Sequence, residues 1–278
     1  MSRMQSILEK AEREGAVMRV RSRPEPTGVV PAPATVETAV AALPTVAGAS
    51  TVAITGQVGV APAARTSPAI RLSRSLVAAT ASESAAAEQY RALCTRIVHA
   101  DQSATANVIL ITSPGSGEGK SITAANLALT MAREYQRPTC IVDANLRSPR
   151  LRELFGLPDG PGLSDVLAGR APLNEALTTI ETLGVTVLPA GPCPQHPAEL
   201  LGTAMMRQTI DYLRMQFDRI VIDTSAALAR ADLGLLTPLV DRIVLVVRAG
   251  VTPKASIADV ATTLDTTRLL GVVLNEAA

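Results

Sequence analysis

The chain has 278 residues and a formal charge of +1 at pH 7, which allows a sizeable core and lacks the basic excess of a general nucleic-acid binder. Aromatics make up only 2% and Trp is absent, so a core must be built from Val, Ile, Leu and Ala, as in helices packed on a buried parallel sheet. Cys94, Cys140 and Cys193 lie far apart without a CxxC pair, and no apolar run approaches the roughly 18 residues of a membrane span; a soluble, cytoplasmic protein without a disulfide framework is expected.

In chain order, Met4, Ile7, Leu8 and Ala11 fall at i, i+3, i+4 and i+7, which predicts an amphipathic helix within residues 1–20 whose stripe awaits a partner. Arg19, Arg21 and Arg23 follow as a small basic patch. Residues 21–82 are rich in Pro and Ala with few charges, and read as a flexible, largely disordered linker. A third region, 83–278, alternates apolar strands with helices. A helix is expected over 87–98, then strands at 108–112, 139–143, 185–189, 219–223, 243–247 and 272–275. Helices are expected at 119–135, 150–155, 198–216, 228–240 and 254–268. Strands this apolar predict an α/β fold with a mostly parallel twisted sheet covered by helices on both faces, binding ligands beyond the carboxyl ends of its strands.

The strand Val108-Ile-Leu-Ile-Thr112 runs into Ser113-Pro-Gly-Ser-Gly-Glu-Gly-Lys-Ser121 and then a helix. Glycines let successive backbone N–H groups turn around an anion, and the helix adds its positive end. Lys120 can reach the β- and γ-phosphates, and the Ser121 hydroxyl is placed to ligate Mg²⁺. Pro114 stands where the usual motif has its first Gly. The expected nucleotide-binding set is Gly115, Ser116, Gly117, Glu118, Gly119, Lys120, Ser121 and Ile122, with ATP and Mg²⁺ as ligands. Asp143 and Asp223 each end a buried apolar strand, an expensive position for a carboxylate unless a cation meets it. Either alone could instead cap a helix.

Ser113–Ser121 with the helix after it, Val142-Asp-Ala-Asn-Leu-Arg-Ser-Pro-Arg-Leu-Arg-Glu-Leu-Phe-Gly-Leu157, Gly162-Leu-Ser-Asp-Val-Leu-Ala-Gly169, Ile220-Val-Ile-Asp-Thr224 and Glu88-Gln-Tyr-Arg91 together resemble the bacterial tyrosine kinases of capsular and exopolysaccharide synthesis. The resemblance covers roughly residues 84–278. It implies a P-loop NTPase fold related to the ParA/MinD ATPases and transfer of the ATP γ-phosphate to tyrosine, with peripheral recruitment to the inner membrane by a membrane-embedded polysaccharide co-polymerase that acts as activator. By the same resemblance Lys120 and Arg147 serve the phosphates, and Ser121, Asp143 and Asp223 the metal. Asp143 is also a candidate acceptor of the tyrosine proton. Asn275 reads the adenine edge, and the Glu88/Arg91 helix forms a homo-oligomer contact.

The family pattern is broken at several places. Asn145 stands where a second aspartate is usual, which deletes one negative charge near the metal. Cys94 replaces an arginine of the oligomerisation helix. Thr224-Ser-Ala-Ala227 stands where prolines are usual, and the C-terminal tyrosine cluster is missing; the tyrosines are Tyr90, Tyr135 and Tyr212. Self-phosphorylation on a tail is therefore not expected. These departures keep a second reading open, an ATP-binding regulatory component of the export machinery that transfers nothing. A ParA/MinD-type ATPase is a third, although Ser113-Pro-Gly115 lacks the additional lysine usual there.

Overall fold

A computed structural model describes residues 71–100, 108–229 and 232–276. The helix expected at 1–20 and the linker up to residue 70 lie outside the described residues. Seven strands form one sheet: β1 (Val108–Thr112), β2 (Thr139–Asp143), β3 (Thr178–Ile180), β4 (Val185–Leu188), β5 (Arg219–Asp223), β6 (Arg242–Arg248) and β7 (Leu269–Asn275). Their order is β3-β4-β2-β5-β1-β6-β7, and every neighbouring pair is parallel except β3 with β4.

Side chains alternate across the sheet and explain why both faces must be covered. Val108 and Leu110 of β1 enter one apolar cluster with Val142, Ile222 and Leu245, whereas Ile109 and Ile111 enter the other with Ile141, Val221 and Val246. The central strands β1, β2, β5 and β6 are thus apolar on both sides, as a doubly covered parallel sheet demands. On one face lies the helix Lys120–Tyr135, packed against Ala85–Ala100. The opposite face carries Leu163–Leu167 and Ala204–Gln216. The α/β, mostly parallel sheet expected from the strand pattern, and the P-loop NTPase architecture that the resemblance implies, are the ones observed.

Several boundaries differ, each for a local reason. The single helix expected over 198–216 is two, Pro197–Leu201 and Ala204–Gln216, because Thr203 turns extended and its hydroxyl caps the Met206 N–H. The helix expected over 228–240 is reduced to Asp232–Leu236 followed by a 3₁₀ turn around Pro238. The antiparallel edge strand β3 and the short helices Leu163–Leu167 and Leu173–Ala176 were not expected. Residues 71–82, assigned from composition to the linker, pack onto the domain: Val77–Thr80 is helical, Leu76 is 0% exposed, and Asn126 holds this segment through Ala78 N and Ser75 O, both at 2.9 Å.

Candidate active site

The loop after β1 has the conformation its glycines were read to supply. Gly117 and Gly119 take φ of +77° and +88°, a region that side chains with a Cβ rarely enter. Lys120 opens the following helix with its side chain largely buried. A cleft of about 380 Å³ opens above the loop at the carboxyl ends of the strands. Ser116, Gly117, Gly119, Lys120, Ser121 and Ile122 line it, joined by Asn145 and Arg147 from the segment after β2 and by Asn275 from the end of β7. Gly115 and the Glu118 side chain do not line it.

Below the cleft, Asp143 and Asp223 stand side by side in the parallel register of β2 and β5, both fully buried. Their surroundings differ. Asp143 Oδ1 accepts from the Asn145 N–H at 3.2 Å, and Oδ2 accepts from the N–H groups of Arg150 and Leu151, both at 3.0 Å. It anchors the loop and the start of the short helix Leu151–Leu154. Among the described residues neither oxygen of Asp223 has a partner in hydrogen-bond geometry, although the Ser121 hydroxyl and the Thr224 N–H lie near it. Burial raises the pKa of both groups. The neighbouring Asp143 charge raises that of Asp223 further, opposed by the Ser121 hydroxyl and the Lys120 ammonium; for Asp143 the three backbone N–H groups oppose the rise. Asp143 has thus spent three of about four acceptor positions on backbone N–H groups, whereas Asp223 makes no such bonds among the described residues. An orphaned, buried carboxylate beside a serine hydroxyl is an oxygen donor set suited to a hard divalent cation.

Asn145 uses its amide as a donor, Nδ2 to the Ser148 carbonyl at 2.9 Å. Arg147 is exposed on the cleft wall and makes no ion pair among the described residues. Asn275, at the end of the last strand, also braces the phosphate loop: its Nδ2 donates to the Glu118 carbonyl at 3.0 Å. A Cβ on Gly119 would lie 2.1 Å from that same Nδ2. The Glu118 carboxylate accepts from the Thr252 hydroxyl at 2.8 Å. Burial raises its pKa, and the Thr252 bond partly offsets the rise. Thr252, Ser225, Asp232 and Glu276 escaped sequence reading, because their part in the site depends on loops that meet only in the fold.

Arg91 of the helix Ala85–Ala100 is held within the chain, by Glu88 at 2.6 Å, the Ser82 carbonyl at 3.0 Å and Glu134 at 3.8 Å. Cys94 faces the core, its Sγ 3.9 Å from the Leu127 carbonyl. That position turns inward, so an arginine there would have to displace core packing. Among the described residues no helix is long and apolar enough to cross a membrane.

No protein-family model matches the chain. It is 35% identical over 204 residues to the tyrosine-protein kinase YwqD of Bacillus subtilis, covering 73% of this chain and 86% of YwqD. Against several longer curated relatives it spans 23% of their length. Among solved structures, the chimerical protein CapA2B2 superposes with a TM-score of 0.70 at 31% identity, covering 75% of this chain and 92% of that one. The kinase domain of the Escherichia coli tyrosine kinase ETK gives 0.69 at 28%, covering 72% and 79%. A more distant likeness, TM-score 0.53 at 26% identity over 61% of this chain and 70% of that one, is to the septum site-determining protein MinD of Pyrococcus horikoshii complexed with Mg-ADP. With a phosphate loop, two strand-end aspartates and a relative of this similarity matched over most of its length, the chain belongs to the family of bacterial tyrosine-protein kinases.

Proposed function

We propose that the chain is an ATP-dependent protein-tyrosine kinase serving capsule or exopolysaccharide synthesis, working with Mg²⁺ held by Ser121 and Asp223. The observation that carries the reading is the Asp223 carboxylate, buried with neither oxygen partnered among the described residues at the floor of the cleft that Lys120 and Ser121 line. When bound, Mg²⁺ supplies positive charge to the β- and γ-phosphates. The loop amides between Ser116 and Ser121 cradle the phosphates, and the Lys120 ammonium meets charge that builds on the transferring group. Phosphoryl transfer of this kind depends on positioning and charge more than on covalent help. Asp143 accordingly acts by fixing the Asn145–Leu151 segment, which carries Arg147 to the cleft. Family likeness supports ATP as donor, a membrane-embedded co-polymerase as activator, recruitment to the inner membrane and a homo-oligomer contact through the Glu88/Arg91 helix.

Tyr90, Tyr135 and Tyr212 are poorly placed as acceptors for the cleft of their own chain. Tyr90 is 0% exposed, Tyr135 is partly buried with its hydroxyl 3.4 Å from Thr95 Oγ1, and Tyr212 is 38% exposed but sits within the helix Ala204–Gln216, which cannot extend into a cleft. The test is a phosphotyrosine assay with purified chain, Mg-ATP and a tyrosine-containing acceptor protein, beside Lys120→Met. Wild type should label the acceptor, and Lys120→Met should lose about 100-fold or more while remaining folded. A second reading, an ATP-binding regulatory component, draws on Asn145. Its amide donates where a carboxylate could not, so the site tolerates the missing charge. Tight ATP binding without labelling of any acceptor would decide for that reading.

A further inference from the structure

The segment after β5 holds a second buried carboxylate that the mechanism above does not use. Asp232 is 2% exposed; its Oδ2 accepts from the Ser225 hydroxyl at 2.8 Å, and its Oδ1 has no partner among the described residues. Ser225 follows Asp223 by two positions and lines the cleft with Lys120 and Ser121. Its backbone is fixed, since its carbonyl accepts from Thr112 Oγ1 at 3.3 Å and from Thr224 Oγ1 at 3.1 Å. A carboxylate buried with an unspent oxygen is costly unless a positive field compensates it.

The direction of the hydrogen bond defines what Ser225 can bind. A serine hydroxyl has one proton, and here Asp232 takes it, so only lone pairs remain for the cleft. An unprotonated phosphate oxygen cannot donate to them. The partner must be an O–H or N–H donor, and an O–H polarised by a cation gains most from the negative charge behind Ser225. Asp223 offers, from the same segment, two oxygens without a partner among the described residues.

We propose that Ser225 and Asp232 form an outer acceptor pair of the divalent-cation site, in which Ser225 accepts from a water of the cation's hydration shell and Asp232 is the positioning residue that orients and polarises Ser225. The pair supplies, from the β5 side of the cleft, negative charge that Asn145 does not provide from the β2 side. The inference rests on the Mg-ATP reading of the cleft.

The test titrates Mg²⁺ into the full chain with a non-hydrolysable ATP analogue, and separately measures analogue affinity in EDTA. Wild type is compared with Ser225→Ala, Ser225→Thr, Asp232→Asn and the double variant Ser225→Ala/Asp232→Asn. Ser225→Ala and Asp232→Asn should each weaken Mg²⁺ about tenfold with EDTA affinity unchanged. Ser225→Thr should retain wild-type Mg²⁺ affinity, and the double variant should lose little more than either single one. Unchanged Mg²⁺ affinity in Ser225→Ala overturns the proposal. An equal loss in EDTA and Mg²⁺ does so too, since that marks a purely structural role. So does a raised acceptor KM at unchanged Mg²⁺ affinity, which would make the acceptor hydroxyl the donor. If Asp232→Asn does not fold, the two Ser225 variants decide. Wild type binding the analogue equally well with and without Mg²⁺ would instead remove the reading beneath.

Discussion

At Asp223 a carboxylate whose oxygens have no partner among the described residues is buried beside a second carboxylate, and without a cation its charged form destabilises the fold. Replacing it with asparagine removes the charge but keeps the shape. Asp223→Asn should therefore raise the stability of the ligand-free protein, by about 1–3 kcal/mol in chemical denaturation, while abolishing the stabilisation that Mg-ATP gives wild type. The pH dependence has a definite sign. Because the folded-state pKa of Asp223 is raised, the native state holds a proton that the unfolded chain has released. Ligand-free stability is then full below the ordinary carboxylate value, about 4, and is lost as pH rises toward the raised folded-state value. Melting temperatures of metal-free wild type should fall across that interval, and those of Asp223→Asn should fall less. Asn145→Asp tests the neighbouring departure. The new carboxylate would face the Ser148 carbonyl instead of donating to it, so ligand-free stability should drop by about 1–2 kcal/mol while Mg²⁺ affinity rises; phosphotyrosine yield and denaturation midpoints measure the two effects. That Asp143 and Asp223 belong together was legible in the sequence, since both end apolar strands. Their difference was not, because the partners of Asp143 are backbone N–H groups of Asn145, Arg150 and Leu151, which any residues would present.

Among elements, the phosphate loop is braced from strands far along the chain. Asn275 of β7 binds the Glu118 carbonyl, and Thr252, beyond β6, binds the Glu118 carboxylate while its hydroxyl also accepts from the Arg248 N–H at 3.0 Å. Asn275→Ala should lower ATP affinity by about tenfold with a small change in melting temperature, measured by calorimetric titration, because it loosens the loop and leaves the Glu118 carbonyl unpaired. Gly119→Ala should lose nucleotide binding altogether, through positive-φ strain and the collision with Asn275 Nδ2. Adding Asn275→Gly removes the collision and leaves the strain, so recovery should be partial. The elements that run longest and most apolar were also the most legible: β1, β2, β5 and the helix after the phosphate loop. The short edge strand Thr178–Ile180 offered only three residues, two of them Thr, too little to show a period. The break at Gly202 and Thr203 was missed because the apolar spacing of 198–216 runs through it, while the Thr203 cap stops the helix.

At the scale of the whole molecule, composition misplaced the domain's edge. Residues 71–82 lie after the last of the closely spaced prolines, yet their polar, small-residue character resembles the linker before them. Leu76 shows what that reading concealed: a fully buried side chain packed in the cluster that contains Leu127 and Met131. Leu76→Ala should cost about 2–5 kcal/mol, read from the denaturant midpoint, whereas a solvated linker residue would cost almost nothing. Doubly wound parallel sheets of this kind rely on contacts between distant parts of the chain and fold slowly as a class. The bond between Asn275 and Glu118 joins positions 157 apart. A ribosome making this protein therefore finishes the phosphate loop's own residues long before the strand that holds the loop in shape. Nascent chains that have not yet released β7 from the exit tunnel should be unable to hold ATP, so nucleotide cannot help the early part of the chain to fold and is available only as a final seal.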